Sequence, residues 1–244
     1  MRMELTGTVG GLEQERFWKN YYDNLARRGT AWLDYGNQRV QEQTLALAID
    51  QAEPVAAKSC VDVGCGKGQL ALALSERGAS EIVGTDASAA LLEQLALDAP
   101  QIGWINYSLL NPPAPQFFRG FDRVFAVEVL QYVPIGLGLA HLWQLTSPGG
   151  RLVGIVPNRD CPFLADAIAR FRGYYAPPSA SDLETAIAGL DGAAAWKLSG
   201  MWYTQQPEGA PYRVADLSGS AADGPPNRFV FVVNRFPSPG FNQR

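Results

Sequence analysis

Histidine occurs once in these 244 residues, methionine three times and cysteine three times. No run approaches the roughly 20 consecutive apolar residues needed to cross a bilayer. The single histidine excludes paired-imidazole metal sites and leaves one imidazole to serve as a base near neutral pH. It is a poor one: His141 sits midway along GLGLAHLWQL, between Leu137 and Leu145, so a packing role in a helix is expected. Cys60, Cys65 and Cys161 are too few and too irregularly spaced for a disulfide framework or a zinc site, which points to a reducing, cytoplasmic setting. Charge is also scarce. Twenty Lys and Arg against 24 Asp and Glu give a net charge of −4 with no basic cluster, which argues against a nucleic-acid partner. The first twenty residues lack the apolar core of a signal peptide, so neither secretion nor a membrane partner is expected. The remaining composition, 47% hydrophobic and 18% charged, suits a folded domain and not a disordered chain.

Glycine is well represented, and its placement is informative. Ser59–Leu74 reads SCVDVGCGKGQLALAL: a short apolar run enters Gly64, Gly66 and Gly68 and leaves as a helical pattern. Such a strand, turn and helix let the backbone pass close to a ligand at the helix N-terminus. Further along, EIVGTDAS predicts a second strand ending at Asp86, where an acidic side chain in this type of unit accepts hydrogen bonds from ribose hydroxyls. The dinucleotide fingerprint is G-x-G-x-x-G. The order here, Asp62-x-Gly64-x-Gly66-x-Gly68, resembles instead the first motif of class I S-adenosylmethionine-dependent methyltransferases of the small-molecule type. A carboxylate beside the loop suits the cationic amino-acid end of that cofactor better than a diphosphate.

The resemblance extends over most of Ser59–Phe236, through Asp86, FDRVFAVEVLQYVP at Phe121–Pro134 and SPGGRLVGIVPN at Ser147–Asn158, in the family's order. It implies a cofactor site, for S-adenosyl-L-methionine and its product S-adenosyl-L-homocysteine, formed by Asp62, Gly64, Cys65, Gly66, Gly68, Asp86, Ala87, Ser108, Leu109 and Glu128. Many members carry an acidic residue after the third strand; Ser108 stands at that place, so adenine contacts would rest on Ser108 and the Leu109 backbone. Alternating strand and helix patterns independently predict a doubly wound, Rossmann-like α/β fold. The expected sheet is mostly parallel and seven-stranded, with an antiparallel C-terminal edge formed by Ala194–Tyr203 and Arg228–Asn234 (RFVFVVN). Residues 1–50 read as an N-terminal helical cap or lid, 51–244 as the methyltransferase domain, and 160–178 as an insertion on the substrate side.

Within the cap, Trp18, Tyr21, Tyr22 and Leu25 follow helical spacing, with Phe17, Trp32 and Tyr35 nearby. One reading is a helix face packed on the sheet; the other is an aromatic lid over the methyl donor. Trp18, Tyr21, Tyr22, Gln131, Tyr132, Asn158 and Phe171 are the substrate-binding candidates. Glu128, Tyr132 and Tyr22 are the catalytic ones, with no base compelling. Asn111-Pro112-Pro113-Ala114 precedes the fourth strand and lacks an aromatic fourth residue, so it is expected to be a loop and not a base-flipping motif. Glu128, Asn158 and Asp160 bring together too few carboxylates for the divalent site of catechol-type relatives, and no metal is expected. The implied reaction is methyl transfer to a small metabolite or glycan-related acceptor, first to oxygen, by a monomer or homodimer. N- or C-methylation, a macromolecular acceptor and non-catalytic cofactor binding remain as alternatives.

Overall fold

The computed structural model describes residues 9–28, 38–117, 119–171, 173–203, 212–217 and 224–237. Trp32 and Tyr35 lie outside them. Helix α1 (Val9–Ala26) and α2 (Gln38–Ala52) precede β1 (Ser59–Val63), α3 (Gln69–Glu76), β2 (Glu81–Asp86), α4 (Ala89–Asp98), β3 (Gly103–Asn106) and β4 (Phe121–Val127). Then come α5 (Ile135–Leu145), β5 (Thr146–Pro157), α6 (Ala165–Arg170), α7 (Ala180–Ala188), β6 (Ala193–Trp202), β7 (Arg213–Asp216) and β8 (Arg228–Arg235). The sheet runs β3-β2-β1-β4-β5-β8-β6-β7. Its first five strands in sequence are mutually parallel, while β8 is antiparallel to both β5 and β6.

This is the doubly wound, mostly parallel architecture, with two differences from the sequence expectation. An eighth strand, β7, pairs with β6, and β8 is not an edge: it inserts between β5 and β6. RFVFVVN can sit there because Phe229, Val230, Phe231 and Val233 are all buried, as a strand covered on both faces requires. The order reverses around β1, where β2 lies on one side and β4 on the other, and the crevice for a ligand opens at the carboxyl ends there.

Two apolar layers hold the sheet. One is built on α5 and α7, from Leu139, Leu142, Leu145, Leu183 and Ile187. The other is built on α2 and α3, from Leu47, Ala48, Ile49, Leu70 and Leu74. Helix α2, which its place in the chain puts in the cap, is therefore part of the core; Arg123 on β4 caps its end, donating from Nε to the Ala52 carbonyl at 2.6 Å. His141 is buried on α5, and its Nδ1 donates to the Leu109 carbonyl at 2.9 Å, a packing role as expected. Residues 160–178 form a one-turn 3-10 helix (Pro162–Leu164) and the short α6, less helix than the FLADAIARFRGYY pattern suggests. Among the described residues, no helix is long and apolar enough to cross a membrane.

Gly154 on β5 faces Phe231 across the strand pair, and a Cβ there would lie 2.0 Å from the ring. Gly154→Ala is expected to cost about 1–3 kcal/mol from overpacking. Gly136, near the start of α5, has nothing within 4 Å of a built Cβ and no positive φ, so Gly136→Ala should gain about 0.5 kcal/mol from helix propensity. Urea unfolding of the two variants checks both signs.

Candidate functional site

The glycine loop bends at the carboxyl end of β1. Gly64, Gly66 and Gly68 have φ of 75°, 52° and 71°, left-handed backbone that other residues adopt at a cost. The backbone N–H groups of Gly64 and Cys65 both donate to the Thr85 carbonyl at 2.8 Å, tying the loop to β2. Gly66 N–H donates to Asp86 Oδ2 at 3.0 Å, and Ser88 N–H donates to Asp86 Oδ1 at 2.9 Å. A Cβ on Gly64 would collide with Val129 and one on Gly68 with Trp104, whereas the space over Gly66 is open. The loop is thus packed from below and accessible at Gly66.

Asp62 is only 3% exposed and accepts a hydrogen bond from the backbone N–H of Ala71 in the first turn of α3. The donors that a diphosphate would use are thereby committed to carboxylates: Ala71 to Asp62, and Gly66 to Asp86. Burial raises the Asp62 pKa to about 7, with repulsion from Asp86 adding to it. Burial also raises Asp86, against the opposing hydrogen bonds from Ser88 and Gly66. Two crowded, desolvated carboxyls favour a cation close by, because positive charge would relieve both.

Above the loop lies a cleft of about 580 Å³, a volume suited to a small organic ligand. Of the cofactor candidates, Asp62, Gly64, Cys65, Gly66, Asp86, Ala87, Ser108, Leu109 and Glu128 line it, and Gly68 does not. Gly68 serves as the left-handed N-cap of α3 instead. Of the substrate candidates, Trp18, Tyr22, Gln131 and Tyr132 line the cleft. Tyr21 and Phe171 are in an aromatic cluster behind it, with ring centroids 5.7 Å apart. Asn158 is not in the cleft. Its amide donates to the Pro226 carbonyl just before β8 at 2.9 Å and its Oδ1 accepts from Asp160 N in the turn after β5, so both side-chain atoms are engaged within the protein. Asn111-Pro112-Pro113-Ala114 is a loop after β3, with Asn111 donating to Glu15 Oε1 at 2.9 Å.

Helix α1 roofs the cleft. Trp18 is buried, 4.6 Å from Tyr132 and 5.4 Å from Phe171 between ring centroids, and its Nε1 donates to the Tyr174 carbonyl at 2.9 Å. Tyr22 donates its hydroxyl to that of Tyr132 at 2.7 Å. Gln14 bonds the Tyr132 and Tyr174 carbonyls, and Ser88 donates to Asp23 at 2.6 Å. Helix α1 is therefore bonded at one side to Tyr132 and Tyr174 and at the other to Ser88 after β2.

Glu128 directly follows β4, has φ 57° and pairs with Arg228, which is 6% exposed. A non-glycine residue in this conformation is a feature found at ligand sites. Arg228 lies at the start of β8, opposite Pro157 at the carboxyl end of β5, and its guanidinium stands 4.7 Å over the Tyr203 ring. Arg228, Tyr175 and Tyr203 line the cleft but are absent from the candidates read from sequence. A charged residue opening an apolar strand is the available signal, and only the antiparallel insertion of β8 brings it to the crevice. Burial pushes the phenols of Tyr132 and Tyr203 up to about 12 and raises Tyr175 as well, so all three remain protonated donors at neutral pH.

Residues 61–152 match the family model described as a methyltransferase domain. The chain is 34% identical over 117 residues to the ubiquinone biosynthesis O-methyltransferase of Saccharophagus degradans, covering 46% of this chain and 49% of that protein. It is 29% identical over 115 residues to the aklanonic acid methyltransferase of Streptomyces sp. strain C5, covering 45% and 52%. The chain thus spans about half the length of these curated relatives. In fold it is similar to magnesium protoporphyrin IX methyltransferase from Synechocystis PCC 6803 with bound cofactor, at TM-score 0.60 and 16% identity over 91% of this chain and 97% of that one. It is likewise similar to an N-methyltransferase from Bradyrhizobium japonicum in complex with S-adenosyl-L-homocysteine, at TM-score 0.58 and 17% identity over 88% and 98%.

Because the folded Asp62 carboxyl keeps its proton to about pH 7 against an ordinary value of 3.8, the folded state holds a proton that the unfolded chain releases. Stability therefore falls as pH rises through that window. The unfolding free energy of ligand-free protein should decline from pH 4 to 7 more steeply in the wild type than in Asp62→Asn. Chemical denaturation across that range measures the difference, and parallel profiles would remove Asp62 as its source.

Proposed function

We propose that the chain, whose residues 61–152 match a methyltransferase-domain family model, is a class I enzyme transferring a methyl group from S-adenosyl-L-methionine to a hydroxyl of a small molecule. The observation that carries this reading is the commitment of the loop's N–H donors to Asp62 and Asp86 beside an open Gly66. That floor is hostile to a diphosphate and suited to a cationic, ribose-bearing ligand.

The residues present fit the cofactor. Asp86, each oxygen already oriented by one backbone N–H, has lone pairs left for ribose hydroxyls. Asp62 supplies the buried carboxyl whose ionised form a cationic end would stabilise. Ser108 and Leu109 line the side assigned to the adenine. When bound, S-adenosylmethionine supplies a methyl group already activated by its positively charged sulfur. The protein's task is then mainly to orient the acceptor in line, which can contribute about 7–11 kcal/mol. Trp18 and Tyr22 exclude water from above. Tyr132 stays a phenol, so it donates a hydrogen bond and does not act as a base. Glu128, in contact with Arg228, is the carboxylate on the acceptor side that can take up a hydroxyl proton.

Hydroxyl methylation of a small aromatic compound is favoured by the ring-rich walls, and the named activity of the ubiquinone-pathway relative agrees in kind. The net charge of −4 and the roofed cleft disfavour a nucleic-acid acceptor. Three buried, unpaired cysteines fit a reducing, cytoplasmic setting. Calorimetric titration with S-adenosyl-L-homocysteine should show binding by the wild type. Asp86→Ala should weaken it by about 1.5–3 kcal/mol for the lost charge-assisted bonds. Equal affinities would exclude Asp86 from the ligand contact.

A further inference from the structure

One carboxylate joins the roof helix to the floor of the cleft. Asp23 on α1 accepts from the Ser88 hydroxyl at 2.6 Å through Oδ1, from Lys19 Nζ at 2.8 Å through Oδ2, and from the backbone N–H of Ala90. Ser88 is fully buried and is the N-cap of α4, its Oγ also accepting from Leu91 N–H at 3.4 Å. The Ser88 N–H in turn donates to Asp86 Oδ1 at 2.9 Å, and Asp86 Oδ2 accepts from Gly66 N–H at 3.0 Å. An unbroken chain of hydrogen bonds therefore runs from α1 through Asp23, Ser88 and Asp86 to the glycine loop.

Helix α4 does not need Asp23 for its own capping. Ser88 already fills that role from the adjoining chain, whereas Asp23 comes from a helix 65 residues earlier. What Asp23 adds is a charged anchor for α1 at the positive end of α4. Burial opposes its ionisation, but the bonds from Lys19 and Ser88 outweigh burial and hold the carboxyl below its ordinary 3.8. The anchor is thus charged at neutral pH, and its bonds are of the stronger, charge-assisted kind. The Ser88 hydroxyl has one proton to donate, and Asp23 fixes where it points. A buried hydroxyl that loses its acceptor is costly, so the Ser88 turn that orients Asp86 depends on the carboxylate of α1.

We propose that Asp23 is a positioning residue for the cofactor's ribose: bonded to Ser88, it fixes the orientation of Asp86, so that seating of α1 and binding of the ribose hydroxyls reinforce one another. The proposal rests on the methyltransferase reading for the ribose, and it can be measured without turnover. S-adenosyl-L-homocysteine and its analogue lacking both ribose hydroxyls are titrated calorimetrically into wild type, Asp23→Ala, Asp23→Asn, Ser88→Ala and the Asp23→Ala, Ser88→Ala double variant. The wild type should prefer the hydroxylated ligand. Asp23→Ala should reduce that preference about ten-fold, the worth of one good hydrogen bond, and Asp23→Asn, whose amide oxygen can still accept from Ser88, should recover most of it. Ser88→Ala should lower the preference by a similar factor and the double variant no further, because both residues act along one chain. A merely structural loosening of α1 would weaken both ligands alike and leave the preference as it was. Thermal unfolding of ligand-free protein checks that each variant folds; should Ser88→Ala not fold, the two Asp23 variants decide. The proposal is overturned if Asp23→Ala keeps the wild-type preference, if Asp23→Asn loses as much as Asp23→Ala, or if the separate effects multiply in the double variant. Equal affinity of the wild type for the two ligands would remove Asp86 as a ribose contact and the proposal with it. Failure of S-adenosyl-L-homocysteine to bind the wild type would overturn the methyltransferase reading instead.

Discussion

The bend at Gly64–Gly68 is the constraint on which the rest depends. Two backbone donors from Gly64 and Cys65 converge on the Thr85 carbonyl, and a third, from Gly66, is accepted by Asp86. These bonds lock the end of β1 to the end of β2 and leave the loop no freedom to rotate its N–H groups toward a phosphate. They are possible because three alternate residues adopt left-handed backbone and lack side chains where Val129 and Trp104 pack. The same arrangement sets the half-buried Asp86 carboxyl beside the buried Asp62, an unfavourable state for a protein without a ligand. The energetic tension and the ligand preference have one origin, two crowded carboxyls whose ionisation a nearby cation would favour.

The roof over that floor comes from a separate part of the chain. Helix α1 presents Trp18 and Tyr22 inward and is tied down by bonds to Tyr132, Tyr174 and Ser88, contacts more than sixty residues away in sequence. Its partners are the segment after β4 and the insertion after β5, which are joined to each other through Ala176 and Gln131. Helix α1, the segment after β5 and the turn after β4 are thereby one hydrogen-bonded assembly at the carboxyl edge of the sheet. The parallel strands supply the base, and the connections that follow them stand over the crevice at their carboxyl ends.

Local chemistry makes much of this legible in the sequence. Gly64, Gly66 and Gly68 declare a turn, Asp86 ends a strand of the right length, and the apolar run of β4 leads to Glu128, because each depends on neighbours in the chain. Positions set by long-range topology are not legible. Arg228 looks like a charged start to an ordinary strand, and only its antiparallel placement between β5 and β6 brings it beside Glu128. Asn158 looks polar and well placed, yet the Pro226 carbonyl and the Asp160 N–H engage both its side-chain atoms. Helix α2 falls in the cap by chain order, although Leu47, Ala48 and Ile49 bury against the sheet.

Amide hydrogen exchange, with and without S-adenosyl-L-homocysteine, tests most directly whether floor and roof form a single cofactor site. Slower exchange is expected on ligand addition at the backbone amides of Gly64–Gly68 and, in the same titration, along α1 around Trp18 and Tyr22, with α5 and α7 unchanged. Exchange unaltered at the glycine loop under saturating ligand would contradict the assignment of the site.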